Sequence, residues 1–545
     1  MDPQPPNSDE KRSPDAFRRL RAPEASGGTM ISPPLDDAEL LLKFNTSRSW
    51  AGSTPDAGAI IDWADLRQRA RAQLISDAMR YTRSYRDVDV HGGEPHTEMP
   101  LIMGGHQPSL FHPGVWFKNF GLHWIARQCG GVAINLVIDN DVCSSTSVRV
   151  PVVDSVGRAR RQTVSYDRRR GGLPYEQTTI EDDELFDSFD HRLRESIAPL
   201  VPDPLIGKLW RHARAARQRC GIAGCALAQA RHSLESELNW QTLEIPLGVA
   251  VRGLPFAEFV VAVIDQIGRF TDVYNRSTDE YRHWHRIRSH AHPVPNLRRE
   301  DDWIETPLWL YGNDDPQRRG VWVGRRGTEW ELSDRNRRSV RLDARDLKSA
   351  AAQLIDHASP DFKLRPRALM TTMFARLVLS DLFLHGIGGG KYDQLADQII
   401  RRFFQIEPPK FQIISGTVRL PGQRLDADRD FNANRLQRLI RETVFHGEKH
   451  LPDNPQARQW IRQKQSLIDQ PPMTASRAAW HREVSAVNQA MAIELTDQRH
   501  QWQTQRAELE FARSNEQVLA SREHSFTLFP LEYLRESFDR MIQPS

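Results

Sequence analysis

The segment Met99–Asp141 constrains this 545-residue chain more than any other. It opens with PLIMGG, a short apolar run ending in glycines, which fits a buried strand feeding a loop. GHQPSLFHPG supplies the loop. VWFKNFGLHWIARQCGG reads as an amphipathic helix closed by Gly130 and Gly131, the residue type that best ends a helix. VAINLVIDND reads as a second buried strand ending in acids. Strand, loop, helix and strand in this succession form a βαβ unit, whose two strands lie parallel. The expected class is α/β, with a parallel sheet and inserted connecting segments.

The remaining chain is read around that unit. Residues 1–37 are rich in Pro, Ser, Gly and charge, with few apolar anchors, and are expected to form a disordered tail. The core is expected over 38–425, with a helix over Ile60–Arg80 that repeats Ile61, Leu66, Ala70, Leu74 and Met79 on one face. Residues 157–345 read as insertions in its connections. They comprise a polar hairpin, helices over Glu184–Leu238, a strand or loop with one or two helices after Leu247, and an antiparallel hairpin from WIETPLWLYG and VWVGRRGTEWEL. LRPRALMTTMFARLVLSDLFLHGIGGGKYD reads as helix, apolar strand and glycine loop, and KFQIISGTVRL as another core strand. Over 426–523 helix dominates, and no Gly or Pro interrupts Thr474–Ser521. Trp480, Val484, Val487, Met491, Leu495, Trp502, Leu509, Ala512 and Leu519 recur there at helical spacing, the seam of a coiled coil or helical hairpin. Helices from Phe431 and Ala457 are its candidate partners. Residues 524–545 carry an apolar segment expected to return to the core.

Composition narrows the function. The 74 basic and 71 acidic residues leave a net charge of only +3, which argues against a dedicated nucleic-acid binder. No apolar run reaches the ~18 residues of a membrane span, and no apolar signal core opens the chain, so a cytoplasmic protein is expected. Four cysteines cannot form a disulfide framework and suit a reducing compartment. Only ten basic residues are Lys against 64 Arg, so a lysine inside a motif stands out, although codon bias explains the ratio.

The chemistry concentrates in two loops. A loop between a parallel strand and a helix start lies at the carboxyl edge of the sheet, where such folds bind ligands. Free N–H groups at the helix start suit phosphate or carboxylate. Gly105, His106, Gln107 and His112 lie in or beside this loop, Lys118 and Asn119 one turn into the helix, and Asp139, Asn140 and Asp141 after the second strand. His106, His112 and Lys118 are expected to bind phosphates and stabilise a transferring group. Asp139 and Asp141 would orient a ribose, a metal or an incoming ammonium. The bland alternative is that His112 shapes the turn, Lys118 is solvated and Asp139 caps a strand. The second loop holds Gly386, Gly388, Gly389, Gly390, Lys391 and Tyr392, and would close the other side of the crevice. It lacks the G-x-x-x-x-G-K-[ST] spacing of a P-loop. His283, His285, His290 and His292 have no metal-ligand spacing, so no protein-built metal site is expected. Cys220 and Cys225 depart from C-x-x-C and read as idle thiols, and Arg168, Arg169 and Arg170 read as a solvated turn.

MGGHQPSLFHPGVWFKN followed by INLVIDND resembles the N-terminal signature of the bacillithiol-synthesis cysteine-adding enzyme family. Gly105, Gln107, Pro108, Leu110, Phe111, Gly114, Lys118, Asp139 and Asp141 fit the pattern. LRPRALMTTMFARLVLSDLFLHGIGGGKYDQLADQI resembles the family's later block. The chain departs from the family at His106, His112, Asn140 and Gly390-Lys391, which stand for Gln, Thr, His and an acidic end. The two histidines move the loop towards that of class I aminoacyl-tRNA synthetases, which also favours nucleotide-dependent carboxylate activation. The resemblance implies a Rossmann-like core and a C-terminal coiled coil that mediates homodimerisation. It further implies an ATP-dependent ligase, with or without Mg²⁺, joining a small carboxylate to an amine, as in adding cysteine to a glucosaminyl-malate. A catalytically inactive scaffold and a nucleotidyltransferase are the competing readings. No nucleic-acid or membrane partner is expected.

Overall fold

The computed structural model describes residues 17–47, 61–88, 93–168, 171–426, 428–451, 453, 455–472 and 476–543. Its strands are β1 (Thr29–Ser32), β2 (Leu101–His106), β3 (Val132–Val137), β4 (Ser147–Val153), β5 (Ala159–Ser165), β6 (Leu243–Pro246) and β7 (Arg299–Glu300). They continue with β8 (Trp303–Tyr311), β9 (Arg319–Arg326), β10 (Glu329–Ser333), β11 (Ser339–Asp343), β12 (Lys363–Pro366), β13 (Leu382–His385) and β14 (Phe411–Gly416).

The expected βαβ unit is present. His112 accepts a hydrogen bond from Gly114 N–H and caps the Pro113–Gln128 helix, and Pro113 occupies its first position, where a missing N–H costs nothing. Gly130, at φ +61°, turns the chain out of the helix into β3. β2, β3 and β6 then pair in parallel. β13 and β14 extend the sheet in parallel on the other side of β2, and β1 closes the β14 edge antiparallel. The order is β1-β14-β13-β2-β3-β6, so its direction reverses between β2 and β13. Every residue of β3 is buried, as a sheet covered on both faces requires. Asp381 registers β13 beside β2: its carboxylate accepts from Leu101 N–H (2.9 Å), Arg67 (2.9 Å) and Arg71 (2.6 Å).

Several expectations need correction. Residues 17–37 of the expected tail belong to the fold: Phe17 packs on Tyr281 at 5.0 Å between ring centroids, and β1 joins the sheet. Residues 1–16 lie outside the described residues. The 157–345 stretch is more than insertion, because β6 is a strand of the parallel sheet. Its strands β8 to β11, together with β12, build a second, antiparallel sheet of order β11-β10-β9-β8-β12, with β7 beside β8. The expected glycine loop is helical. Gly386 caps the Ile387–Ile399 helix, and Gly390 N–H donates to Gly386 O at 2.9 Å while packing against Ile413. Those contacts offset the ~1 kcal/mol per residue by which glycine disfavours a helix. The helix expected over Ile60–Arg80 spans Trp63–Arg83, and residues 48–60 lie outside the described residues.

Residues 17–150, 163–418 and 522–543 form one compact unit. At its C-terminal end Phe526 and Phe538 pack on Trp116 (5.0 and 5.8 Å), so the Leu531–Ile542 helix covers the Pro113–Gln128 helix. Residues 151–162 and 419–521 form the second unit, which is mainly helical. The helix expected through Thr474–Ser521 breaks at Leu495 into Arg477–Glu494 and Thr496–Leu519, and residues 473–475 lie outside the described residues. Asp428–Phe445 packs against both helices, and Pro455–Asp469 against the first. Val487, Met491 and Leu495 are buried, whereas no residue of Thr496–Leu519 is. Among the described residues, no helix is long and apolar enough to cross a membrane.

Candidate functional site

The reversal of strand order leaves a crevice at the carboxyl ends of β2, β3 and β13, because the connections leaving either side diverge. The structure holds there a cavity of about 310 Å³. Gly105, Ile138 and Phe383 form its sheet-side wall, and His385 ends β13 within it. Pro307, Trp309, Arg318 and Pro366 face them from the antiparallel sheet and its connections. Ala368, Leu369, Thr371 and Thr372 add the start of the Ala368–Phe374 helix. An apolar lining with few converging charges is the usual form of a small-molecule site.

The charged groups are held in place. Arg318 and Arg367 both lie over the Trp309 ring, 4.9 and 4.1 Å from its centroid. Arg318 Nη1 donates to Asn140 O (3.0 Å) and Asp141 Oδ1 (3.2 Å). Arg367 Nη2 donates to Glu305 (2.7 Å). Burial alone would raise the Glu305 carboxyl, but Arg367 and Arg298 outweigh it and hold it below the ordinary range. His385 Nε2 meets Asp393 Oδ2 at 2.6 Å, and Asp393 also accepts from Arg376 (2.8 Å). Burial disfavours the Asp393 charge, yet His385 and Arg376 hold this carboxyl well below its usual range. Asp393 therefore fixes the imidazole and leaves Nδ1 beside Gly389 as its second nitrogen.

Of the residues expected from the sequence, Gly105, Asn140, Asp141 and Gly389 line the cavity. Gln107 donates to Asp141 at its rim. Asn140 Nδ2 donates to Pro366 O (2.8 Å), which ties the β3 end to the antiparallel sheet. Asp139 accepts from Gly248 N–H (3.1 Å), and burial followed by the Glu176 charge pushes its carboxyl up to about 7. Gly386 is the helix cap, Gly388 is exposed and Gly390 packs inward. Lys391 and Tyr392 do not line the cavity; the Tyr392 ring faces His292 at 6.1 Å.

His106, Lys118 and Asn119 lie on the other face of the sheet, a correction with a simple cause. Side chains alternate along a strand, so a crevice at Gly105 puts Gly104 and His106 against the helices opposite. Lys118 Nζ donates to Gly105 O (2.9 Å) from a nearly fully buried position. Burial, and then the Arg231 charge, lower this ammonium to about 7. Asn119 donates to Glu235 (2.9 Å), which also takes Trp116 Nε1 (2.9 Å) and Arg231 (2.7 Å). Neither ring nitrogen of His106 has a hydrogen-bond partner, and burial ahead of Lys118 lowers its pKa well below the usual value. Its ring meets Phe111 edge-on at 4.9 Å. His112 is a helix cap, the bland alternative.

Sequence reasoning missed Trp309, Arg318, Arg367 and the His385–Asp393–Arg376 cluster as site residues. Among the described residues no group of three or more His, Cys, Asp or Glu could hold a metal ion, the four-histidine stretch included. Arg169 and Arg170 lie outside the described residues. The chain matches no family model, and no curated protein matches it.

Proposed function

We propose that this protein is a nucleotide-dependent ligase of the cysteine-adding type, which joins a small carboxylate to an amine on a Rossmann-like fold. The observation that supports this reading most is the crevice at the reversal between β2 and β13, with two stacked arginines and an Asp-held histidine in its wall. The order β14-β13-β2-β3-β6 is the one in which dinucleotide-binding sheets carry ligands at that point.

A free carboxylate is a poor electrophile at neutral pH, so the reaction needs a nucleotide to supply a leaving group. The donor set suits an anionic ligand: Arg318 and Arg367 carry positive charge, and Gly389, in the first turn of the Ile387–Ile399 helix, lines the cavity. Trp309 holds both guanidinium groups at the cavity wall through its ring. Among the described residues that line the cavity, Asp141 is the one carboxylate, and it is already paired with Arg318, so Mg²⁺ would arrive with the nucleotide. His385 Nδ1 takes the proton that the amine loses on attacking the acyl carbon, and Asp393 stabilises the imidazolium. The exposed apolar side chains of the helical unit, Leu425, Phe431, Phe445, Ile468 and Ile493 among them, support its assignment as a coiled-coil homodimerisation arm. A cytoplasmic small-molecule enzyme is the resulting proposal.

Incubation with ATP, Mg²⁺ and pools of amino acids and small carboxylic acids tests it. Substrate-dependent release of pyrophosphate or phosphate is expected. No nucleotide turnover with any pool contradicts the ligase and leaves an inactive scaffold.

A further inference from the structure

The wall of the cavity at the β2–β13 reversal is uneven. Pro295 and Ala368 are exposed and mark its mouth, whereas Tyr274, Leu369 and Phe383 are buried and form its floor. Tyr274 belongs to the Ile267–His285 helix, Leu369 to the Ala368–Phe374 helix and Phe383 to β13, so three elements of the core close the apolar end. Among the described residues that line the cavity, Arg318 and Arg367 are the two permanent cations. Both are held at the ring of Trp309.

The hydroxyl and amide groups of the wall are engaged elsewhere. Thr371 Oγ1 donates to Arg367 O (3.2 Å) and Thr372 Oγ1 to Leu369 O (3.2 Å), each back along its own helix. Asn140 Nδ2 is used by Pro366 O (2.8 Å). A hydroxyl-rich ligand would give up its hydrogen bonds to water there and find few to replace them. An apolar body gains by leaving water against Pro307, Leu369 and Phe383. The Phe383 and His385 rings lie 4.7 Å apart, so a group that meets the imidazole has an apolar neighbour. The volume of about 310 Å³ stands at the low end of the ~300–1,000 Å³ usual for ligand sites, which suits a small molecule.

We propose that the acid taken by this site is a monocarboxylate with an apolar aliphatic or aromatic body. Its carboxylate pairs with Arg318 and Arg367, and its body lies against Leu369 and Phe383. Guanidinium N–H groups match the two oxygens of a carboxylate, whereas an amine without a carboxylate would meet two positive charges. The same wall disfavours a polyhydroxylated acid. The assignment rests on the crevice being the ligase site and specifies the carboxylate partner of that reaction.

The test is calorimetric titration of the full chain with acetate, butyrate, hexanoate, gluconate and hexanamide, each with and without a non-hydrolysable ATP analogue and Mg²⁺. Affinity is expected to rise about fourfold per methylene from acetate to hexanoate. Gluconate, which matches hexanoate in chain length, and hexanamide, which lacks the charge, are expected to bind about tenfold more weakly than hexanoate or worse. Leu369→Gln at the floor and Ala368→Trp at the exposed mouth are each expected to weaken hexanoate about tenfold. The mouth variant keeps the test open if the floor variant fails to fold. Affinity that does not rise with chain length would overturn the proposal. So would gluconate binding as tightly as hexanoate, or hexanoate binding unchanged in Ala368→Trp. Failure of the ligase reading looks different: hexanoate binds as expected and no nucleotide turns over, which leaves the acid site standing.

Discussion

His385 Nε2 and Asp393 Oδ2 lie 2.6 Å apart across the start of the Ile387–Ile399 helix, and Arg376 Nη1 reaches the same oxygen at 2.8 Å. One buried carboxylate thus serves a structural cation and a cavity-facing imidazole. The two roles separate on mutation. Asp393→Ala leaves Arg376 buried without this partner and is expected to cost ~3–5 kcal/mol in urea unfolding. His385→Ala keeps the Asp393–Arg376 pair and is expected to cost about 1–2 kcal/mol while removing turnover. The Asp393 pKa is depressed in the fold, so its stabilisation is present above the unfolded carboxylate value and lost as pH falls through the folded one.

Gly389 is expected to tolerate no side chain in a working site. A Cβ there would come within 2.6 Å of His385 Nδ1 and displace the ring. Gly389→Ala is expected to weaken nucleotide affinity or turnover about tenfold or more, since small misplacements of catalytic groups carry such losses. Stability should change by no more than about 1 kcal/mol, because alanine is the better helix former. Calorimetry and thermal unfolding of the same variant check both halves.

His106 is expected to be dispensable for stability. Both ring nitrogens are buried without partners, so the neutral ring behaves as an apolar one with a desolvation cost. Its folded pKa lies below the unfolded ~6.5, so the unfolded chain binds the proton first and stability falls as pH drops below that value. His106→Phe is expected to equal or exceed the wild type at pH 7 and to reduce the loss between pH 6.5 and 4. Urea midpoints across that range measure it; a variant less stable at every pH counts against the assignment.

Asp139 titrates in the opposite sense. Its carboxyl is raised to about 7 in the fold, so between pH 4 and 7 the folded state holds a proton that the unfolded chain has lost. Stability from this group is full below the unfolded value and declines by up to about 1.4 kcal/mol per pH unit towards pH 7. Asp139→Asn keeps an oxygen for Gly248 N–H and is expected to flatten that decline. An unchanged slope would contradict the assignment.

The sequence was informative where local pattern and tertiary role coincide. Gly130, Gly131 and the apolar runs of β2 and β3 announced the βαβ unit, and the structure has it. It misled where parity decides. Gly105 and His106 are neighbours in the chain but lie on opposite faces of β2, so a motif containing both mixes a cavity wall with a core position. β6 is only four residues long, too short for its period to be read, and it was lost among connecting segments. Arg318 and Arg367 carry no local signature among 64 arginines; only the fold over Trp309 marks them. His385 and Asp393 bound the glycine motif, but their meeting requires the glycines to be helical rather than a loop.

The most direct measurement is calorimetric titration of ATP into the wild type, Arg318→Ala and Lys118→Met. The crevice account expects saturable binding to the wild type and to Lys118→Met within about twofold, since Lys118 lies on the far face of the sheet. It expects Arg318→Ala to lose about tenfold or more, the ~1.5–3 kcal/mol of a hydrogen bond to a charged group. Loss of binding in Lys118→Met with full retention in Arg318→Ala would contradict it and return the site to the His106–Lys118 face.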